Sequence, residues 1–157
     1  MNIINFQIFF QLIMAVCLGA IIGLEREFKE KGAGLKTYSL VSLGSCVFAI
    51  TGMALFKSSV AESGFYLGSS TIVQAVAMGI GFIGAGVIFQ KESKIEGITT
   101  AAGLWVTAAM GMAVGLGLYF ISFATTLLMI AIFVGFGFFE NKILKEEVKK
   151  INKNKKR

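Results

Sequence analysis

Residues 98–139 read ITTAAGLWVTAAMGMAVGLGLYFISFATTLLMIAIFVGFGFF, forty-two positions without a charge. At ~1.5 Å per residue one helix of that length would reach about 63 Å, twice a ~30 Å hydrocarbon core. The stretch must therefore fold back on itself. Its one good turn signal is Gly115-Leu116-Gly117, which divides it into spans of about 98–114 and 119–139. Working outward, residues 3–24, 37–56 and 71–90 are three more uncharged runs, each long enough to cross a bilayer.

The composition agrees. The chain has 157 residues, 55% hydrophobic and 15% charged, with a mean hydropathy of +0.77 and neither proline nor histidine. A soluble fold of this size leaves about a third of its chain surface exposed and has no room for so much apolar area. The reading is an all-α polytopic membrane protein. Missing histidine excludes His-based triads, His-ligated zinc and His-held haem. The surplus of +6 would suggest nucleic acid in a soluble protein; here its distribution along the chain carries the information.

Loop 25–36 holds four basic residues, Arg26, Lys29, Lys31 and Lys36, and loop 57–70 only Lys57. Loop 91–97 has Lys91 and Lys94, the Gly115–Gly117 turn has none, and the tail 140–157 has eight. Five spans place fourteen basic residues on one side and one on the other; four spans give no clear bias. The positive-inside rule thus predicts five helices over residues 1–139, N-terminus outside, with a basic cytoplasmic tail over 140–157. The first run is expected to be retained rather than cleaved as a signal. It lacks a basic n-region, exceeds a signal's apolar length and is followed directly by Glu25-Arg26-Glu27. In the tail, Ile143, Leu144, Val148 and Ile151 recur with helical spacing among lysines, as in a helix lying on an anionic leaflet.

Nineteen glycines are about 12% of the chain, against ~7% in average usage. In membranes such residues let helix backbones approach closely. Gly19-xxx-Gly23 and Gly111-xxx-Gly115 are both GxxxG pairs. In the third span Gly79, Gly81, Gly84 and Gly86 put small residues on several faces, which predicts a central helix with neighbours on more than one side. This run is not a phosphate loop, because no Lys-Ser/Thr follows it and it lies within an apolar span.

Polar groups within or beside the spans are the candidates for function. Glu25 and Glu27 form either a cation-attracting mouth or part of an interfacial cluster, with Arg26 anchored to headgroups and Glu27 paired to Lys31. Gln7, Gln11 and Gln74 read as interhelical glue. Thr99, Thr100 and Thr107 either back-bond within the fourth span or line a polar path. Trp105, about seven residues into that span, reads as packing, as do Cys17 and Cys46.

Four ordered motifs, LGAIIGLERE at 18–27, AGLKT at 33–37, GIGFIGAGVI at 79–88 and GITTAAGLW at 97–105, make the chain resemble the MgtC/SapB family of bacterial inner-membrane proteins over about residues 12–139. The resemblance implies a five-helix membrane domain in the bacterial inner membrane. It also implies links to Mg²⁺ homeostasis and virulence, and modulation of other membrane machines such as the F-type ATP synthase or P-type Mg²⁺ transporters. Longer members carry a cytoplasmic regulatory domain of ACT type where this sequence has its basic tail. Glu25, Arg26, Glu27, Lys36, Thr37, Gln74, Thr99 and Thr100 match motif positions.

Two functions follow. The first is a non-enzymatic regulator that binds another membrane complex through its helices, itself open to homo-oligomerisation. The alternative is a small transporter or channel for Mg²⁺ or another cation, with Glu25 and Glu27 at its mouth. No span carries a mid-membrane carboxylate, which weighs against a coupled transporter. No cofactor is implied; Mg²⁺ is the one candidate ligand.

Overall fold

The computed structural model of the protein describes residues 3–63, 70–91 and 94–137. They form five helices: α1 (Ile3–Phe28), α2 (Leu35–Ser63), α3 (Ser70–Val87), α4 (Ile98–Gly115) and α5 (Tyr119–Ala131). A π-helical segment, Ile132–Phe136, continues α5. The protein is an all-α membrane protein. Four stretches are long and apolar enough to cross a membrane: Asn5–Phe28, Leu35–Lys57, Ile98–Gly115 and Tyr119–Phe136. The fifth, Thr71–Val87, is a shorter apolar helix. The 18 residues of α3 reach about 27 Å at ~1.5 Å each, just short of a ~30 Å core. The basic tail, 140–157, lies outside the described residues.

Each helix end has a local cause. α1 runs through Glu25-Arg26-Glu27, which the sequence reading placed in a loop. It stops where Glu30 adopts a left-handed φ of 50°. Lys31 N–H then bonds back to the Arg26 carbonyl at 3.1 Å, the six-to-one closure of a Schellman motif. The charge-free stretch 98–139 breaks at residues 116–118 in the same way. Gly117 takes φ 78°, and Leu118 N–H returns to the Ala113 carbonyl at 2.8 Å. Between α3 and α4 the chain forms a short hairpin, β1 (Phe89–Lys91) against β2 (Lys94–Glu96), antiparallel, with Gln90 opposite Ile95. The uncharged run predicts a third span through residue 90 and a loop over 91–97, whereas the helix ends at Val87 and the hairpin begins at Phe89. Three-residue strands offer too little alternation to be legible. Gly97 follows at φ 92°, with its α-carbon so close to the Val87 carbonyl that no side chain fits.

α4 is the centre of the bundle and packs against α1, α2, α3 and α5. Its inner face buries Leu104, Thr107, Ala108, Met110 and Val114, which join Ala15, Leu18, Ile22, Tyr38 and Cys46 in the core. α3 packs on α4 and touches α2 only lightly, and most of its residues are exposed. The expectation of a central third helix is therefore corrected: Gly79, Gly81 and Gly86 face open space, and only Gly84 meets a neighbour, the Ala101 methyl at 3.6 Å. Glycine content marked what α3 could pack against, and among the described residues nothing packs on its outer side at Gly81 or Gly86. Trp105, expected in the packing, is 55% exposed and points away from the core.

Candidate functional site

The last turn of α1 carries the most concentrated polar chemistry among the described residues. Glu25 Oε2 accepts from Arg26 Nε at 2.5 Å, and Glu25 Oε1 lies 2.7 Å from Lys29 Nζ. The Arg26 side chain is 5% exposed, so its charge is nearly removed from water. Its guanidinium carbon stands 3.8 Å from the Phe133 ring centroid, a cation–π contact worth about 2 kcal/mol when desolvated. Lys29 Nζ also donates to the Phe133 carbonyl at 2.9 Å. Phe133 belongs to the π-helical segment, where Gly137 N–H bonds to the Val134 carbonyl. π-helical turns recur at functional sites. Here one residue of such a turn presents its ring to Arg26 and its carbonyl to Lys29.

α2 and α4 close the site. Tyr38 is fully buried, and its hydroxyl donates to the Thr100 carbonyl at 3.4 Å. A side chain on Gly103 would meet that hydroxyl and the Phe133 ring, so glycine is what lets the two rings share the space. Glu27 points elsewhere: its Oε2 accepts the Leu35 N–H at 2.9 Å and satisfies the first amide of α2.

Several expectations change on this geometry. Arg26 is not a headgroup anchor, because Glu25 and Phe133 hold it inside the bundle. Glu27 caps α2 in place of the expected pairing with Lys31. Glu25 does not stand as an open cation-attracting carboxylate, because two cationic side chains occupy it. Thr100 is buried beside Tyr38, whereas Thr99, Lys36 and Gln74 are exposed and Thr37 is partly so; the site does not gather these four. Thr107 back-bonds to the Gly103 carbonyl at 2.8 Å. Gln11 is 5% exposed and donates to the Val114 and Gly115 carbonyls, both at 3.1 Å, so its amide satisfies acceptors left open at the end of α4. Cys17 and Cys46 are both free thiols.

The four GxxxG glycines pack backbone on backbone. Gly19 lies against the Tyr38 carbonyl and Ser42, Gly23 against Leu35, Gly111 against Ser42, and Gly115 against Cys46 and Ala49. Ser42 Oγ donates to the Ala15 carbonyl at 2.7 Å across the same seam. Sequence reasoning missed Tyr38, Gly103 and Phe133 as members of the charged site. Phe133 lies in an apolar run with no local signal, and only its distance from Arg26 in space reveals it.

Three relatives bear on this arrangement. The putative magnesium transporter YhiD of Escherichia coli strain K12 is 43% identical over 109 residues, which is 69% of this chain and 51% of that protein. Protein SrpB of Synechococcus elongatus is 38% identical over 136 residues, 81% of this chain and 73% of its own. Protein MgtC of Salmonella typhimurium strain 14028s is 32% identical over 151 residues, 96% of this chain and 58% of its own. The chain thus spans about half the length of the first of these. No solved structure matches it. The MgtC family profile matches residues 12–142, which takes in the charged end of α1, the glycine seams and the π-helical turn that holds Arg26. The chain belongs to the MgtC family, as a multi-pass protein of the bacterial membrane.

Proposed function

We propose that the protein is a non-enzymatic regulator linked to Mg²⁺ homeostasis, acting by binding another membrane complex. An ion-transport ATPase or the ATP synthase is the kind of partner meant. The observation that carries this reading is that both carboxylates at the end of α1, and the buried Gln11 and Thr107, are already engaged. Glu25 is taken by Arg26 and Lys29, Glu27 by the α2 amide, Gln11 by the end of α4, and Thr107 by its own helix. Among the described residues, the outer side of α3 is a face that stays open. There Gln74, Met78, Gly81, Phe82 and Ala85 follow helical spacing, and Gly81-xxx-Ala85 is a small-residue pair with no neighbour at Gly81. Such a face suits a foreign transmembrane helix, with the Gln74 amide contributing about 1–2 kcal/mol if it bonds across. The orientation proposed is N-terminus outside and C-terminus cytoplasmic, on the charge asymmetry.

The transport reading draws on the name of the Escherichia coli relative and is separated by experiment. Purified protein in liposomes is assayed for Mg²⁺ flux, as wild type and as Glu25→Gln and Glu27→Gln. Regulation predicts no saturable flux and co-purification of a membrane ATPase that is lost in Gly81→Leu. Saturable wild-type flux abolished in both carboxamide variants overturns the proposal in favour of transport. A phosphatase fused after Arg157 is expected to be inactive in the periplasm; activity there overturns the orientation.

A further inference from the structure

α2 and α3 touch through Gly52 and Ile72 and then part, leaving a cleft of about 390 Å³ between them. Leu40, Gly44 and Phe48 of α2 and Val76, Gly79 and Ile83 of α3 line it, and the lining is almost wholly apolar. A side chain at either Gly44 or Gly79 would meet nothing within 4 Å. Helices in lipid gain by close contact, so a gap of this size between two of them needs an occupant.

Two features say what fits. The cleft extends from Leu40 to Phe48, about 12 Å of helix axis at ~1.5 Å per residue, close to the depth of one leaflet of a ~30 Å core. Lys36, Leu40, Gly44 and Phe48 are spaced four apart and form one row along α2. Lys36 is exposed and stands one turn beyond the cleft, in the first turn of α2. Glu27 accepts the Leu35 amide from the α1 side, one position before Lys36. A cation at headgroup height above an apolar slot one leaflet deep is complementary to a lipid with an anionic head and an alkyl chain.

We infer that this cleft holds one acyl chain of an anionic phospholipid from the leaflet that Lys36 faces, with the lipid phosphate at Lys36. The site lies between α2 and α3, whereas the partner face proposed above is the outer side of α3, so neither reading depends on the other.

The test is native mass spectrometry of the detergent-solubilised full chain titrated with phosphatidylglycerol or with phosphatidylcholine. Wild type is expected to retain one phosphatidylglycerol and to prefer it to phosphatidylcholine. Gly44→Leu and Gly79→Leu, which fill the slot from either wall, are expected to weaken retention about tenfold, or ~1.4 kcal/mol. Lys36→Gln is expected to bring the two lipids to equal retention. Thermal melting in detergent establishes that each variant is folded; should the leucine variants not fold, Lys36→Gln decides the matter alone. Undiminished retention in folded leucine variants overturns the inference. So does equal binding of the two lipids by wild type, or a second copy of the chain displacing the lipid.

Discussion

Glycine does opposite things in two parts of this bundle. Along α1 and α4, where they face α2, an added Cβ would lie 2.7 Å from the Tyr38 carbonyl at Gly19, 2.7 Å from Leu35 Cα at Gly23, and 2.6 Å from the Cys46 carbonyl at Gly115. Along α3 the same addition at Gly79, Gly81 or Gly86 meets nothing. The first set joins three helices into a unit that also encloses the charged end of α1. The second set leaves a helix resting on α4 with two open sides. In hydrocarbon, where burying apolar surface drives little, a small residue contributes only through the approach it permits. A glycine-rich helix is therefore an offer of contact, and the neighbour decides whether it is taken up.

Substitutions can break that contrast, and the expected effects are graded. The largest belongs to Glu25→Gln, which leaves Arg26 buried beside Lys29 without its anion. Its loss is expected at about 3–5 kcal/mol, read by SDS-driven unfolding in mixed micelles. A loss below about 1 kcal/mol would mean that Phe133 alone supports the guanidinium. Gly111→Ala comes next, because its new methyl is driven into the Ser42 backbone, and should cost about 1–3 kcal/mol by the same measurement. Glu30→Gly should act in the other direction. It relieves a left-handed residue at the end of α1 and is expected to raise stability by about 1 kcal/mol. Gly81→Ala on α3 should lie within about 0.5 kcal/mol of wild type. If it proved as damaging as Gly111→Ala, the two halves of the bundle would not differ as described.

The sequence made the helices legible because hydrocarbon thickness and charge-free length are simple constraints. The break at Gly115-Leu116-Gly117 was legible because only glycine readily supplies the left-handed turn that closes α4. Glu25 and Arg26 could be singled out from their place at a span end, but their burial could not. Arg26 is desolvated by Phe133, and Lys29 finds its carbonyl acceptor 104 positions away, a pairing no local pattern encodes. The same limit explains α3. Its glycines have helical spacing on several faces, yet the faces that another helix covers are set by how α4 and α2 lie, which periodicity does not contain.

The polar anchors of α1 have a consequence for how the protein is made. Gln11 waits for carbonyls 103 and 104 residues downstream, and Lys29 for one 104 downstream. At about 5–20 residues per second, roughly 5–20 s separate the synthesis of α1 from that of its acceptors. During that interval a buried amide and a charged helix end must be tolerated by the insertion machinery or by lipid. The charged end of α1 is thus closed last, and truncation before the π-helical turn would leave Lys29 without its carbonyl acceptor and Arg26 without its ring, while Gln11 kept its partners on α4.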